Sequence, residues 1–351
     1  MISSATTAGL ETELPEHGQL RNGDTSVTVI IPVRNEESSI GHTLKQLLEQ
    51  QLEGLRTEIL VVDGRSTDRT REIVKEYAER NHEVRLLDNP NYLSSAARNI
   101  GIKESSGDYV VIVDGHCEFP TRTYFLDLVE SFQQSGVDCL GRPQPLDIFR
   151  ATTLQRAIAA ARSSRLGHHP DSFIYTDEEI DCPAASVAIA YRRTVFEKVG
   201  LFDERFDACE DYELNTRVDQ AGLRCRLVPK LTVKYEPRKS LRGLFRQLFR
   251  YGRGRVRLSR KHPGMISLKT LAPAALVLGA VVGPLVCLAL PLLWPAYFVV
   301  IGIYLAGTII ESLRLAFVQK DTRIFLWLPL VFWVIHISSG TGLLFEAVRP
   351  G

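Results

Sequence analysis

The chain has 351 residues, which is long for a single domain and ample for a hydrophobic core. Its net charge of +1 conceals an asymmetry, because residues 238–261 contain ten Lys and Arg and no acidic residue. The rest of the chain holds 32 of the 42 basic residues against all 41 acidic ones, a net charge of −9. Such a basic block indicates that the chain lies next to an anionic surface. The alternative interpretation is that the block binds nucleic acid.

The six cysteines, at positions 117, 139, 182, 209, 225 and 287, form no C-x-x-C pair. This spacing argues against a disulfide framework and indicates a reducing compartment. Residues 1–24 are polar and lack the apolar run of a secretory signal, so we interpret them as a disordered tail and expect the soluble part in the cytosol. P-loop and G-x-G-x-x-G motifs are missing too, so any phosphate-binding device differs from that of ATPases and dehydrogenases.

Apolar β-branched runs alternate with helical periodicity in the first part of the chain. Strands are predicted at residues 27–32, 58–63, 84–87 and 109–113, and helices at residues 36–53, 66–80 and 93–104. This alternation predicts an α/β fold with a mostly parallel, Rossmann-like sheet. Two strands end in Asp63 and Asp114, so both carboxylates are expected at the edge where open α/β sheets bind ligands.

Asp114 and His116 stand two residues apart directly after the fourth strand. Around a turn, this carboxylate and imidazole can face one cation, which could neutralise the charge of a departing diphosphate. The alternative is a strand followed by an ordinary Asp-Gly turn. The same alternative holds for Asp63, which precedes Gly64.

Glu210 and Asp211 precede a helical pattern over residues 212–218. A carboxylate at the start of a helix is held in place while its oxygens point outward, as a general base requires. The alternative is that both acids only provide favourable charge at the N-terminus of the helix.

Residues 240–251 predict an amphipathic helix with five apolar side chains on one face and arginines beside it, and Gly252 and Gly254 are expected to end it. Its basic density, directly before apolar segments, indicates a helix at the interface with anionic lipid. The alternative is a surface helix packed on the core.

Residues 270–310 contain no charged side chain in 41 positions, which is room for two membrane helices that meet near Pro291 and Pro295. A third apolar run, residues 324–345, has only His336 as an ionisable group. The basic residues before the first span and between the second and third predict a cytosolic N-terminal domain and a C-terminus across the membrane. The predicted units are residues 1–24 (tail), 25–237 (cytosolic domain), 238–265 (interface segment) and 266–351 (membrane domain, about three spans).

Five short motifs occur in one order: IPVRNEE at residues 31–37, VDGRSTD at 62–68, AARNIG at 96–101, DGH at 114–116 and ED at 210–211. Together they resemble the family 2 glycosyltransferases. The resemblance implies a GT-A fold and a nucleotide-sugar donor. The basic segment and the apolar spans are similar to those of membrane-bound enzymes of bacterial exopolysaccharide assembly, the succinoglycan type especially.

The resemblance assigns the first two motifs to the donor. Pro32, Val33, Arg34 and Glu36 correspond to the loop that lies along the nucleoside. Asp63 corresponds to the acid that binds the uracil and ribose.

The later motifs correspond to the diphosphate and the reacting groups. Arg98 matches a position near the nucleotide diphosphate, and a replaceable ion pair with a surface acid is its alternative. Asp114 and His116 match a D-x-D-type metal site, which also contacts the donor, and Asp211 matches the catalytic base. Because a histidine stands where the family has an acid, Mn²⁺ is favoured over Mg²⁺ without excluding it.

The acceptor side is assigned from two further segments. Gln247, Arg250 and Tyr251 are similar to a Q-x-x-R-W motif that binds donor or acceptor, with Tyr251 in place of the tryptophan. Ser186, in the CPAAS segment at residues 182–186, and Glu210 complete the candidates for acceptor or diphosphate contact.

The sequence therefore predicts a membrane-anchored, inverting, metal-dependent glycosyltransferase on the cytoplasmic face of the cell membrane. The expected donor is a UDP-sugar, and the expected acceptor is a saccharide linked to undecaprenyl diphosphate. A processive polysaccharide synthase and a non-catalytic membrane scaffold with the same fold are the alternatives. Nucleic acid is not expected as a partner, because apolar residues are interleaved with the arginines, and the oligomeric state stays open.

Overall fold

The computed structural model describes residues 25–167, 172–265 and 267–349. The predicted tail, residues 1–24, lies outside the described residues. The strands are β1 Ser26–Val33, β2 Arg56–Asp63, β3 Val84–Asp88, β4 Tyr109–Ile112, β5 Cys117–Glu118, β6 Cys139–Gly141, β7 Ile180–Asp181, β8 Ala188–Arg192, β9 Cys225–Leu227 and β10 Lys234–Tyr235. The α-helices are α1 Ile40–Leu48, α2 Thr70–Arg80, α3 Ser94–Glu104, α4 Tyr124–Ser135, α5 Thr153–Ser163, α6 Ala184–Val187, α7 Arg193–Val199, α8 Glu210–Gln220, α9 Leu241–Lys261, α10 Leu268–Ala289, α11 Trp294–Val318 and α12 Leu328–Ala347.

Eight strands form one sheet in the order β3-β2-β1-β4-β8-β6-β9-β7, and β5 pairs separately with β10. β1 runs parallel to both β2 and β4, and β2 runs parallel to β3. β8 is antiparallel to its neighbours β4 and β6. The predicted α/β fold and its four N-terminal strands are therefore confirmed.

The sheet is covered on both faces, which explains why its strands are continuous apolar runs. Alternate residues of β1 point to opposite sides, so Val29 belongs to the core beneath α1 and α4, and Ile30 to the core beneath α3 and α8. Both side chains are fully buried.

The first helix is shorter than predicted, because α1 begins at Ile40 rather than at Glu36. The preceding backbone is held in another conformation. Asn35 adopts a left-handed φ of 57°, and the backbone N–H of Glu36 donates to Thr70 Oγ1 over 2.8 Å. Residues 34–39 are therefore a loop fixed to the start of α2.

The prediction that Gly252 and Gly254 end the amphipathic helix is wrong, because α9 continues to Lys261. Both glycines allow other backbone to approach the helix. A Cβ on Gly252 would lie 2.4 Å from the carbonyl oxygen of Ser339 in α12, and one on Gly254 would lie 2.7 Å from that of Ala208. Helical glycine costs only about 1 kcal/mol in propensity, which close packing can offset.

The apolar face of α9 contributes to a third hydrophobic cluster, away from the sheet. Leu244 and Leu248 of α9 join Ile158 of α5 and Val331 and Ile335 of α12. The face assigned to lipid from the sequence is thus largely covered by protein. The position of α9 at a membrane surface stays a prediction.

Three helical segments are long and apolar enough to cross a membrane: Leu268–Ala289, Pro291–Val318 and Leu328–Ala347. They differ in how far the protein covers them. About half of the most apolar part of the third segment is buried, against 11 % and 6 % for the first two. The first two therefore have the exposed apolar surface that lipid would cover, whereas about half of the third packs on protein.

We predict that Gly342→Ala lowers the apparent melting temperature of the purified, detergent-solubilised protein. A Cβ at Gly342 would lie 2.2 Å from the carbonyl oxygen of Phe249, so α9 and α12 must move apart. Overpacking of this kind costs roughly 1–3 kcal/mol. Gly279→Ala in α10 is the matched control, because no atom lies within 4 Å of its Cβ position. Equal melting temperatures for the two variants would contradict the prediction.

Candidate active site

The loops that carry the first, second and fourth motifs meet at one edge of the sheet. Val33, at the end of β1, is in register with Asp63, at the end of β2. β4, on the other side of β1, ends two residues before Asp114. Parallel strands bring their carboxyl ends to the same edge, so the predicted meeting of the two aspartates follows from the sheet.

The loop after β1 is bound to the loop after β2 through Asn35. Its backbone N–H donates to Ser66 Oγ over 2.9 Å, and its side-chain oxygen accepts from the N–H of Thr67 over 2.8 Å. Asparagine tolerates the left-handed backbone that this arrangement needs. The two donor motifs therefore form one rigid unit.

Asp63 is fully buried and its carboxylate already has protein partners. Arg71 Nη1 donates to Oδ2 over 2.8 Å, and the N–H of Ser66 donates to the same oxygen over 3.1 Å. Arg71 also pairs with Asp88 at 2.7 Å. The structure thus shows the contacts within the turn that the alternative interpretation of Asp63 requires. The contact of Asp63 with a nucleoside stays a prediction.

Arg34 belongs to an exposed cluster that the sequence did not reveal. The guanidinium carbons of Arg34 and Arg65 each lie 4.9 Å from the centroid of the Tyr92 ring. The backbone of Tyr92 has a left-handed φ of 63°. Arg65 Nη1 also donates to the tyrosine hydroxyl over 2.8 Å. Stacked aromatic and guanidinium planes provide the flat surface on which a nucleobase can stack.

Pro32 and Val33 contribute by shape rather than by polar contact. Val33 is only 4 % exposed, and its carbonyl accepts from the N–H of Gly64 over 2.8 Å. A Cβ on Gly115 would lie 2.9 Å from Val33 Cγ1, so the turn after β4 needs a glycine. Pro32 is partly buried next to it in β1.

His116 contacts Glu36, which joins the metal motif to the first loop. His116 Nδ1 lies 3.0 Å from Glu36 Oε1. This hydrogen bond raises the pKa of His116, although burial opposes the shift. Burial alone would raise the pKa of Glu36, but the bond and the charge of His116 outweigh it and the pKa is lowered. Glu36 thus orients an imidazole, as partners of metal-binding histidines do.

Asp114 and His116 are the residues that could hold a divalent cation. Among the described residues, no three His, Cys, Asp or Glu side chains cluster closely enough to form a metal site by themselves. A carboxylate and an imidazole fit Mn²⁺ as part of a ligand set, with diphosphate oxygens as further ligands. The residues present therefore fit a cation that is held jointly by protein and donor.

Arg98, on α3, connects this edge to the start of α8. It is 8 % exposed, and its Nη1 lies 3.4 Å from Glu210 Oε1. Burial would lower its pKa, but the carboxylates of Glu210, Asp211 and Asp114 raise it. Its Nε and Nη1 have no hydrogen-bond partner among the described residues. The alternative for Arg98, a replaceable ion pair with a surface acid, is therefore wrong. The guanidinium is buried near three carboxylates, and two of its nitrogen atoms form no hydrogen bond among the described residues.

The neighbours of Arg98 on α3 position the segment that leads to α8. Ser95 Oγ donates to the carbonyl of Phe206 over 3.1 Å. Asn99 exchanges two hydrogen bonds with the backbone of Phe202, at 2.8 and 2.9 Å. These contacts fix the chain before Glu210, which explains how two motifs so distant in sequence come together.

The adjacent acids at the start of α8 have different environments. Cys209 precedes them with a left-handed φ of 62°, a conformation that costs energy in a residue other than glycine. Glu210 is 9 % exposed, and burial raises its pKa while Arg98 opposes the shift. Asp211 is exposed, and its Oδ1 accepts from the N–H of Tyr212 over 2.8 Å. Asp211 is thus the accessible carboxylate of the two.

The Q-L-F-R-Y segment of α9 lies against the loop that precedes these acids. Arg250 donates to the carbonyl of Asp207, and Cys209 Sγ lies 3.8 Å from the carbonyl of Tyr251. Gln247 Nε2 donates to the hydroxyl of Tyr251 over 3.2 Å. The structure therefore brings all three residues of the segment next to Glu210 and Asp211.

Arg238 is a site residue that sequence reasoning missed. Its Nε donates to Gln247 Oε1 over 3.2 Å, and its charge influences Glu36 and His116. It was counted within the basic block and assigned to lipid. Its position at the start of that block, nearest the sheet, was the available signal.

A second missed residue, Arg142, is fully buried beneath the end of β4. Its guanidinium donates to the hydroxyls of Tyr124 and Tyr235, at 2.5 and 3.1 Å, and to the carbonyl of Ile112 over 3.3 Å. No carboxylate among the described residues forms an ion pair with it. Arg142 thus places a buried positive charge beneath the end of β4, two residues before Asp114.

Within the part of the chain that the structure describes, the hydroxyl of Ser186 forms its hydrogen bond away from these residues. Its hydroxyl donates to the carbonyl of Pro183 over 2.5 Å, and α6 is held to α8 because the N–H of Ala184 donates to Asp219 over 2.7 Å. The role of Ser186 in acceptor contact stays a prediction.

Comparison with known proteins decides the family. Residues 28–200 match the model of "Glycosyl transferase family 2". Over 257 residues, the chain is 35 % identical to the "Succinoglycan biosynthesis protein ExoA" of Rhizobium meliloti (strain 1021), covering 72 % of this chain and 75 % of the relative. The chain belongs to glycosyltransferase family 2. The resemblance drawn from the five motifs is therefore confirmed.

Two further proteins are similar over nearly the whole chain. A Methanococcus voltae enzyme, named as a dolichyl N-acetyl-α-D-glucosaminyl phosphate 3-β-D-2,3-diacetamido-2,3-dideoxy-β-D-glucuronosyltransferase, is 24 % identical over 90 % of this chain and 95 % of its own. The mannosyltransferase PcManGT of Pyrobaculum calidifontis, solved with GDP-Man and Mn²⁺, aligns with a TM-score of 0.56 at 20 % identity, over 92 % of this chain and 87 % of its own. The latter likeness supports the GT-A fold.

Proposed function

We propose that this family 2 glycosyltransferase moves a sugar from a nucleotide-diphosphate donor to a membrane-bound, polyprenyl-linked saccharide. The observation that carries the proposal is the buried cation of Arg98, which lies between the carboxylate of Asp114 and the carboxylates of Glu210 and Asp211. Its charge would attract an anionic diphosphate that binds at this edge of the sheet. The names of the two relatives, which refer to succinoglycan and to a dolichyl phosphate-linked sugar, support a glycan and a lipid-linked acceptor.

In the proposed reaction Asp211 accepts the proton of an acceptor hydroxyl. The hydroxyl oxygen then attacks the anomeric carbon from the side opposite the diphosphate. The new C–O bond forms as the bond to the diphosphate oxygen breaks, so configuration inverts and the nucleoside diphosphate leaves with the electron pair. Arg98 orients the diphosphate through charge-assisted hydrogen bonds, and Glu210 holds Arg98 in place.

A divalent cation, Mn²⁺ or Mg²⁺, is proposed as the cofactor, with Asp114 and His116 as its protein ligands. When bound, it would stabilise the negative charge that develops on the diphosphate. Glu36 keeps His116 oriented through the bond to Nδ1. UDP is the proposed nucleotide, and a panel of labelled UDP- and GDP-sugars tests it.

We predict that Asp211→Asn lowers the rate of sugar transfer by roughly 10²–10⁴-fold, because the acceptor hydroxyl loses its base. Folding and donor binding should be retained, since Asp211 is exposed and the amide preserves the hydrogen bond from Tyr212. The measurement is nucleotide-sugar binding and transfer in the same preparation.

Glu210→Gln is the matched comparison, and it should act differently. It removes the carboxylate that compensates the buried Arg98, so it should lower the melting temperature and weaken donor binding. Transfer by Asp211→Asn at near wild-type rate would refute the assignment of the base. Loss of donor binding in Asp211→Asn would make it a donor-site residue instead.

We predict that chelation of divalent cations by EDTA abolishes transfer and that Mn²⁺ restores it at least as well as Mg²⁺. Asp114→Ala should lower transfer by about 100-fold or more at saturating metal, because the stabilisation of leaving-group charge is worth several kcal/mol. An unchanged melting temperature verifies that the variant is folded. Full turnover in excess EDTA contradicts the prediction.

The membrane arrangement is proposed to contain two spans, α10 and α11, rather than the three expected from the sequence. Both ends of α12 contact the catalytic unit. Asp321, just before α12, pairs with Arg156 of α5 at 3.3 Å. Glu346, in its last turn, pairs with Arg253 and Arg257 of α9 at 2.8 and 2.7 Å, and Arg257 also binds Asp207 at 2.6 Å.

These contacts support a non-spanning α12, because a spanning helix separates its ends by a hydrocarbon core of about 30 Å. Asp207 lies four residues before the candidate base, so the end of α12 is on the side of the active site. With two spans, the C-terminal end lies on the same side as the catalytic unit. This proposal replaces the expectation that the C-terminus is across the membrane.

We predict that alkaline phosphatase fused after Val348 is inactive and that green fluorescent protein at the same position fluoresces. After Leu292, in the turn between α10 and α11, alkaline phosphatase should be active and green fluorescent protein should not fluoresce. A site near Lys320 serves as the cytosolic reference, because it lies in the cytosol whether the protein has two spans or three. Active phosphatase after Val348 would restore the arrangement with three spans.

A further inference from the structure

A cavity of about 430 Å³ lies between the segment that follows α5 and the second apolar helix, α11. This volume is within the range of roughly 300–1,000 Å³ usual for small-molecule sites. It is lined by Arg165, Leu166, Ile303, Tyr304, Gly307, Thr308 and Glu311. Among the described residues, no atom lies within 4 Å of the position that a Cβ on Gly307 would occupy, so the groove is open there.

The wall of the groove is held by a histidine of α12. His336 Nε2 lies 3.0 Å from the carbonyl oxygen of Leu166, and His336 Nδ1 lies 3.0 Å from the hydroxyl of Tyr304. The segment after α5 is thereby attached to both α11 and α12. The groove is therefore a built feature of three packed elements.

Apolar surface lies beside charge in this groove. Ile303, on a helix with the length and hydropathy of a membrane span, is 68 % exposed, and Leu166, in the segment after α5, is 39 % exposed. Arg165 adds a cation at the groove, and Arg162 lies three residues earlier. The acidic Glu311 forms a bidentate pair with Arg314 at 2.7 Å, so its charge is largely offset.

We propose that this groove binds the phosphate-proximal isoprenoid units of a polyprenyl phosphate-linked acceptor, with Arg165 at the phosphate. The proposal rests on the proposed function for the presence of a lipid-linked acceptor. It adds the place where that lipid enters. An isoprenoid chain has no hydrogen-bonding groups and suits the apolar wall of α11, whereas its phosphate requires the cation at the edge. A neutral lipid would make no use of Arg165.

The test uses the full-length protein in nanodiscs of phosphatidylcholine with a minor fraction of undecaprenyl phosphate. A photoreactive benzophenone amino acid replaces Ile303 in the groove. The matched control replaces Leu305, which is 50 % exposed and, two residues further on, lies on the opposite face of the helix. After irradiation, mass spectrometry measures the lipid attached at each position.

At residue 303, we expect the fraction of undecaprenyl phosphate among the attached lipids to exceed its mole fraction in the nanodisc. At residue 305, the two fractions should be equal. Arg165→Gln should lower the excess at residue 303 by about tenfold, since a charge-assisted hydrogen bond is worth roughly 1.5–3 kcal/mol. Lipid adducts in the bulk ratio at both positions would overturn the proposal. An excess that Arg165→Gln leaves unchanged would overturn the phosphate contact.

Nucleotide-sugar binding, measured in the same nanodiscs, and transfer, measured in nanodiscs that also contain an undecaprenyl diphosphate-linked saccharide, separate this proposal from the proposed function. An excess of undecaprenyl phosphate without any nucleotide-sugar binding or transfer would refute the proposed function and leave the lipid site standing. Transfer to a lipid-linked acceptor with no excess at residue 303 would refute the groove alone.

Discussion

The buried charge of Arg98 is the constraint on which the candidate site depends. Removing a guanidinium from water costs several kcal/mol unless acids compensate it. Glu210, at 3.4 Å, comes from a helix more than a hundred residues later in the chain, and the field of Asp114 comes from a third element. Because that charge cannot be left unpaired, the start of α8 must lie beside Arg98 of α3. This arrangement fixes the start of α8, from which Asp211 is presented to solvent.

Helix α9 connects this site to the apolar helices, and glycine makes the connection possible. Gly254 allows the helix to approach Ala208, one residue before the strained Cys209, while Gly252 and Gly342 allow contact with α12. Close backbone approach of this kind is typical where helices pack through small residues.

The arginines of α9 have two different uses, although they form one block in the sequence. Arg253 and Arg257 bind Glu346 and Asp207 and fasten the end of α12 to the catalytic unit. Arg250 instead binds the backbone of the loop that precedes Glu210. The net charge of this basic block suggests that it faces an anionic surface. In the structure, however, several of its arginines bind carboxylates or backbone carbonyls of the protein itself.

The sequence by itself determined the parallel half of the sheet, the order of the motifs and the meeting of Asp63 with Asp114, because β-branched runs that end in acids report strand ends directly. It could not reveal that α9 continues through two glycines, since glycine ends a helix or permits close packing depending on a partner far away in the chain. The sequence also did not show that Glu210 is buried while Asp211 is exposed, or that about half of the apolar part of α12 is covered by protein. Burial depends on which surfaces meet, and only the tertiary structure determines that.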